Sequence, residues 1–308
     1  MTELLIGTGG WAYFHVPGLR SLEAYSRAFD FVEVNSTFYR IPSLKLVESW
    51  RLRVPTDFEF AVRCHKDITH KYRLEPVEEA FSALDATMEI CQTLNSKVLV
   101  FETPTRWRFN EKKIGLVRDF FESVDLRGVT PVWEVRRRKN EPLPAALVGL
   151  MQDLNIVHCV DLSKENEVEE SEFVYTRLFG KGEQNVYQFA DEELTAVDEK
   201  IVRGNPERAA VSFHNVRMYK DAARFRIFKQ TGKFPSVTGS KGQQSLRKVL
   251  MEDARFPATK SKLLKAQGWK IVDLTEDKRV RASSLLERLP DKEFGSVEEV
   301  MNNLPRRV

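Results

Sequence analysis

Cysteine is scarce in this chain: Cys64, Cys91 and Cys159 are odd in number and form no CxxC pair. That excludes a disulfide framework and fits free thiols in a reducing cytoplasm. No apolar run approaches the ~18 residues of a membrane span, and the N-terminus has no basic stretch followed by a cleavable apolar one. A glycine-rich phosphate loop is also missing. Gly7-Thr-Gly-Gly10 follows the first apolar run without the GxGxxG spacing, which speaks against a doubly wound nucleotide-binding sheet. The five histidines contain no HxH or HxxxH pair. With 42 % hydrophobic and 30 % charged residues, the composition excludes a disordered chain.

What is present is periodic. Short apolar runs recur at Leu4–Gly7, Phe31–Val34, Phe58–Arg63, Lys97–Phe101, Val129–Trp133, Ile156–Val160, Phe173–Leu178 and Ala209–Phe213. Amphipathic segments follow near Leu19–Ala28, Leu44–Leu52, Val77–Leu94, Glu111–Ser123, Leu143–Leu154, Asp191–Val202 and Met218–Gln230. The connection after the sixth run, rich in Glu from Glu165 to Glu172, shows no clear helix. Eight strands alternating with helices predict a (β/α)8 barrel over residues 1–230. Glycines and a proline in Thr231–Gly242 predict a linker over 231–243, followed by a small all-helical domain over 244–308. Ser296 reads as the N-cap of a helix whose first turn carries Glu298 and Glu299.

Charge divides along the chain. Residues 241–308 hold 15 Lys/Arg against 10 Asp/Glu, while the preceding residues hold 33 against 35. A basic tail on a near-neutral body is a common way to hold a polyanion. A parallel barrel gathers functional groups where its strands end. Trp11 follows the first strand, and Glu33 and Asn35 close the second, with Phe38 and Tyr39 beyond. The third leads into Arg63, His65, Lys66 and His70. Glu102 ends the fourth, Glu134 and Arg136 the fifth, and Asp161 the sixth. Arg177 lies near the end of the seventh, and His214 and Asn215 follow the eighth.

At these residues the chain resembles a known family. Thr8-Gly-Gly-Trp11, the stretch Val32–Pro42 and Ile68-Thr-His70 are similar to the signature of the domain of unknown function 72 (YecE-like) family. Glu134-Val-Arg136, Tyr175–Gly180 and Phe213-His-Asn215 continue the likeness in the family's order, over residues 3–230. The resemblance implies a TIM-like barrel and supplies no reaction. The chain departs from the pattern at Glu102, where the family has Gln, and at Arg137 and Phe179, where it has His. The tail (Phe256–Lys260, Leu285–Asp291, Ser296–Val300) resembles the small helical domain of unknown function 2795 family over residues 244–305.

The residue types at the strand ends suggest chemistry. Glu33, Glu102, Glu134, Asp161 and His70 are the candidate catalytic groups. Glu33 and Glu134 with His65 and His214 are the candidate ligands of a divalent metal, which would polarise a phosphoryl group. Arg63, Lys66, Arg136 and Arg177 would hold phosphate oxygens, with Asn35 and Asn215 as further polar contacts. Trp11, Phe38, Tyr39 and Trp107 would stack on unpaired bases. The function expected is a barrel that binds nucleic acid or a phosphorylated small molecule, as a metal-assisted phosphodiester hydrolase of nuclease or DNA-repair type. Two other readings stand beside it: a non-catalytic binding module, and a glycoside hydrolase using Glu102 and Glu134 as its carboxyl pair. If Arg177 meets a ligand, Arg177→Ala should cost little stability. The sequence favours that outcome. His158, inside an apolar run, reads as a core histidine, and Cys64 beside His65 as no catalytic dyad, since neighbours on a strand face opposite ways.

Overall fold

A computed structural model describes residues 2–138, 141–165 and 172–305. The chain divides into two compact units, Met1–Leu178 with Ile201–Phe213 and Phe179–Lys200 with His214–Val308. The first holds eight parallel strands: β1 (Glu3–Thr8), β2 (Phe31–Val34), β3 (Glu59–Arg63), β4 (Val98–Thr103), β5 (Thr130–Val135), β6 (Val157–His158), β7 (Phe173–Leu178) and β8 (Arg208–Phe213). Their order is β6-β5-β4-β3-β2-β1-β8-β7. Among the described residues one parallel bridge, Val160 to Thr176, joins the two ends of that order and makes a nearly closed, TIM-like barrel. Between the strands run α1 (Ser21–Ala28), α2 (Leu44–Arg51), α3 (Glu78–Leu94), α4 (Glu111–Glu122), α5 (Ala145–Asp153) and α6 (Asp191–Gly204). The strands and helices thus fall where the periodicity places them, while the sixth strand shrinks to two residues. Residues 166–171 of the connection after it lie outside the described residues.

Side-chain alternation along the strands builds the interior. Leu5, Phe31, Ala61, Val100, Val132, Cys159, Tyr175 and Ala210, from seven strands and the residue after β6, form one buried apolar cluster. Two residues further along, β2, β3, β4, β5 and β7 carry Glu33, Arg63, Glu102, Glu134 and Arg177. The barrel therefore has an apolar middle and an ionic layer at the C-terminal ends of its strands. Gly7 stands at the same level on β1, and a Cβ there would lie 2.0 Å from the Phe31 carbonyl oxygen. Only glycine lets β1 and β2 approach so closely. On the outer side, the Tyr25 hydroxyl of α1 donates to the Phe31 carbonyl at 2.8 Å and accepts from the Thr8 amide at 2.9 Å. This pins the helix to two strands. The α4 start is capped by Asn110, whose side chain accepts from the Lys113 amide.

The second unit contains α7 (Met218–Thr231), α8 (Gln243–Asp253), α9 (Lys260–Gln267), α10 (Ser283–Leu286) and α11 (Val297–Asn302). It is not all-helical, in contrast to the sequence expectation. β9 (Ala258–Thr259) pairs antiparallel with β12 (Glu293–Phe294), and β10 (Ile271–Asp273) with β11 (Arg279–Arg281). Leu246, Val249, Leu250, Val272, Leu285, Leu286, Phe294 and Val300 share its core. Ser296 caps α11 as expected, accepting from the Glu299 amide. The segment read as a linker is anchored within this unit. Asp273 accepts from the Val237 and Thr238 amides and from the Ser236 hydroxyl. Burial alone would raise its carboxyl, but these bonds outweigh that and hold it below its ordinary range. Arg279 bridges Asp273 and Asp191, and the Ile271 amide donates to Gln188. Residues beyond 241 thus pack with residues near 190 in one unit.

Candidate functional site

The ionic layer is a set of charge-assisted bonds made by three arginines to three glutamates. Arg177, 1 % exposed, reaches Glu33 at 3.0 Å through Nη2. Its Nη1 reaches Glu102 at 2.7 Å and also pairs with Glu134. Arg63 donates to Glu102 at 2.6 Å and to Asn35 at 3.2 Å. Arg136 closes the set, with Nη1 3.0 Å from Glu102 and Nε 2.9 Å from Glu134. The Tyr175 hydroxyl donates to the second oxygen of Glu33 at 2.8 Å. Register explains the convergence, because Glu102 and Glu134 lie directly opposite each other on β4 and β5.

Electrostatics follow from that geometry. Burial alone would raise the Glu134 carboxyl, but Arg177 and Arg136 outweigh it and hold it below the usual carboxylate range. Burial also works against the charge of Arg177, and Glu134, Glu33 and Glu102 overcome it, so the guanidinium stays charged. Three positive and three negative groups balance within the layer. Such a cluster fixes geometry, since removing one member leaves an uncompensated buried charge.

The other candidates sit around this layer. Asn35 donates to the Gly9 carbonyl at 2.8 Å. Phe38 is buried, with the Arg63 guanidinium 3.8 Å over its ring and His70 edge-on at 5.0 Å, so both its sides are engaged. Tyr39 is 65 % exposed. Trp11 packs edge-on against Trp50. Lys66 is exposed, and His65 accepts from the Asp67 amide. Asp161 is held by its own loop, accepting from the Ser163 amide at 3.0 Å and pairing with Lys164. Burial lowers the His70 imidazole, with Glu102 opposing and Arg63 and Arg136 reinforcing the shift, so the ring is neutral near pH 7. Thr69 lies 2.9 Å from its Nδ1.

His214 and Asn215 belong to the second unit. There His214 faces Phe179, and Asn215 donates to the Tyr187 carbonyl at 2.9 Å and to Asp221 at 2.7 Å. Burial raises the Asp221 carboxyl to about 6, against Arg224 and the bonds from Phe189 and Asn215. Among the described residues no three His, Cys, Asp or Glu side chains group as a metal site. Glu33 and Glu134 gather around Arg177 rather than around His65 and His214. Burial pushes the Cys64 thiol well up, so it is no thiolate nucleophile.

Sequence reasoning missed one participant. Tyr175 reads as a core aromatic, and its bond to Glu33 depends on pairing across the barrel.

His158 gives a pH prediction. Burial, reinforced by Arg137, lowers its imidazole to about 4. The unfolded ring titrates near ~6.5, so below that pH the unfolded state binds a proton that the folded state refuses. Stability is therefore expected to fall as pH drops from about 6.5 to about 4, by up to about 3 kcal/mol from this group. Urea melts of the parent and His158→Gln across that window check it. The variant should lack this part of the slope, and identical pH profiles would refute it.

Comparisons with known proteins agree with the architecture. A family model described as "Protein of unknown function DUF72" matches residues 5–232. The chain is 36 % identical over 62 residues to the UPF0759 protein YecE of Escherichia coli K12, which is 20 % of this chain and 23 % of that protein. The chain thus aligns with less than a quarter of this curated relative. A crystal structure of a DUF72 family protein from Thermotoga maritima MSB8 superposes with a TM-score of 0.60 at 19 % identity, covering 74 % of this chain and 99 % of the other. One from Enterococcus faecalis V583 gives 0.58 at 17 %, covering 75 % and 98 %. These likenesses show the fold. The tail's resemblance to the second family gains no support from them.

Proposed function

The chain belongs to the DUF72 family, whose description names no reaction, and from that premise we propose that the C-terminal face of its barrel binds a phosphodiester polyanion, single-stranded nucleic acid in particular. One observation carries the reading. In the five loops that follow β1 to β5, Arg136 of the neutral layer aside, the described residues include nine Lys/Arg and three Asp/Glu. The five connections at the opposite ends of these strands hold three of each. A one-sided excess of this size creates a positive face on a body whose total charge is small. Exposed Tyr13 and Tyr39 stand on the first two of these loops and offer faces on which bases stack.

The ionic layer beneath that rim favours a binding module over the two hydrolase readings. A glycosidase needs one carboxyl kept protonated, whereas Glu134 is held ionised and shares Arg177 and Arg136 with Glu102. A carboxylate-held metal would have to displace arginines from the same oxygens. The test is fluorescence anisotropy of a labelled single-stranded 12-mer titrated with the full chain over a range of salt. Binding that weakens linearly in log–log form with salt, and a weaker response to the matching duplex, are expected. Salt-independent binding, or none at low salt, would overturn the reading.

A further inference from the structure

Between the loop after β4 and the loop after β5 lies a cavity of about 80 Å³. Its lining includes Trp107 and Phe109, the three cationic residues Arg108, Arg136 and Arg137, and a single carboxylate, Glu141. Trp107 is 7 % exposed, and its buried Nε1–H has no hydrogen-bond partner among the described residues. The neighbouring Trp133, 6.5 Å away ring to ring, donates its own Nε1–H to Thr103 at 3.2 Å. A buried donor with no acceptor is rare in folded proteins, because the desolvated N–H gains nothing in return. An acceptor supplied from outside the chain would satisfy it.

We propose that this cavity is a phosphoryl subsite, in which the Trp107 indole donates to one oxygen and the guanidinium groups of the lining oppose the charge. The proposal rests on the reading of this face as a phosphodiester site and names the group recognised. Size supports the assignment. A water needs roughly 10–15 Å³ of such space, so the cavity holds several waters. That is room enough for one tetrahedral group. Donors favour an acceptor-rich group: Arg108, Arg136 and Arg137 each already meet a carboxylate, Glu141, Glu102 with Glu134, and Glu165, but a guanidinium has five N–H donors and can hold a further acceptor. The indole adds direction, because it can only donate.

The experiment uses the full chain labelled with 15N-tryptophan, its Trp107 indole resonance assigned through Trp107→Phe. Inorganic phosphate, a 5′-phosphorylated 12-mer and its 5′-hydroxyl counterpart are added in separate titrations. Phosphate is expected to move the Trp107 indole signal saturably while the Trp133 signal stays. Movement with both oligonucleotides assigns the subsite to an internal diester, and movement with the phosphorylated one alone assigns it to a strand end. Trp107→Phe keeps the ring and removes the donor, and about tenfold weaker phosphate binding is expected, the scale of one lost hydrogen bond. A Trp107 signal unmoved by all three additions, or unchanged phosphate binding in Trp107→Phe, would overturn the subsite. Oligonucleotide binding by anisotropy in that case would leave the reading of the face intact. A Trp107 response to phosphate with no oligonucleotide binding would do the reverse.

Discussion

Arg177→Ala is expected to destabilise the barrel by about 3–5 kcal/mol, the cost of breaking a buried ion network by removing one partner. The sequence suggested the opposite, on the premise that the anion meeting Arg177 is a ligand. Its guanidinium instead contacts Glu33, Glu102 and Glu134 within the chain, and Arg177 and Glu33 are essentially shut off from solvent. Removing it leaves three carboxylates facing two guanidiniums. At least one carboxyl must then take a proton in the folded state at a pH where the unfolded chain has already lost it. Its folded pKa is raised, so the folded state binds more protons and stability returns as pH falls. The defect should therefore be largest at neutral pH and shrink toward acid. Glu33→Met/Arg177→Met leaves two charges of each sign and should recover part of the loss. Denaturant melts of the parent and both variants at pH 7 and pH 5 decide it. A loss under 1 kcal/mol in Arg177→Ala would mean that the layer is not what holds this end of the barrel together.

Replacing three exposed rim cations should weaken nucleic-acid binding severely while sparing the fold. Arg40, Lys66 and Lys71 lie on the loops after β2 and β3, all exposed, and none forms an ion pair within the described structure. Each phosphate contact on a single strand contributes ~0.7 to the salt slope. Three lost contacts should thus flatten the slope by about 2 and lower affinity roughly 10²–10³-fold at 50 mM salt relative to 1 M. Arg40→Gln/Lys66→Gln/Lys71→Gln is the variant, and Arg53→Gln/Lys97→Gln, at the opposite strand ends, is its control. Anisotropy titrations at four salt concentrations give both slope and affinity. Equal losses in the two variants would show that the protein attracts polyanions through overall charge, with no preferred face.

The barrel was legible because each strand is a short apolar run and each helix repeats its apolar residues at a helical period. The ends of the elements were legible too, since charged residues break each run where a strand leaves the core. What a single sequence could not reveal was how those charges settle among themselves. Glu33 and Arg177 are 144 positions apart in the chain and meet only because β2 and β7 face each other across a nearly closed sheet. Each looked like a group waiting for a ligand, yet together they form a neutral layer. The tail was misread for a different reason. Its strands are two or three residues long, too short for a period-two pattern to register beside the leucines of α8 and α10.

The barrel is joined between β6 and β7 by the bridge from Val160 to Thr176, whereas β7 and β8 are matched along six residues. The Thr176 hydroxyl donates to the Val160 carbonyl at 2.8 Å and accepts from the Leu162 amide, and the Arg177 amide donates to the same carbonyl at 3.3 Å. A ring with one clasp opens at its clasp, and amides there should exchange with solvent sooner than those of β4 and β5. The clasp is one residue from the hub of the ionic layer. Arg177 therefore ties the barrel twice, through its backbone across the seam and through its side chain across the mouth. Whatever parts the seam also strains the charges, and so the seam and the ionic layer are made to stand or fall together.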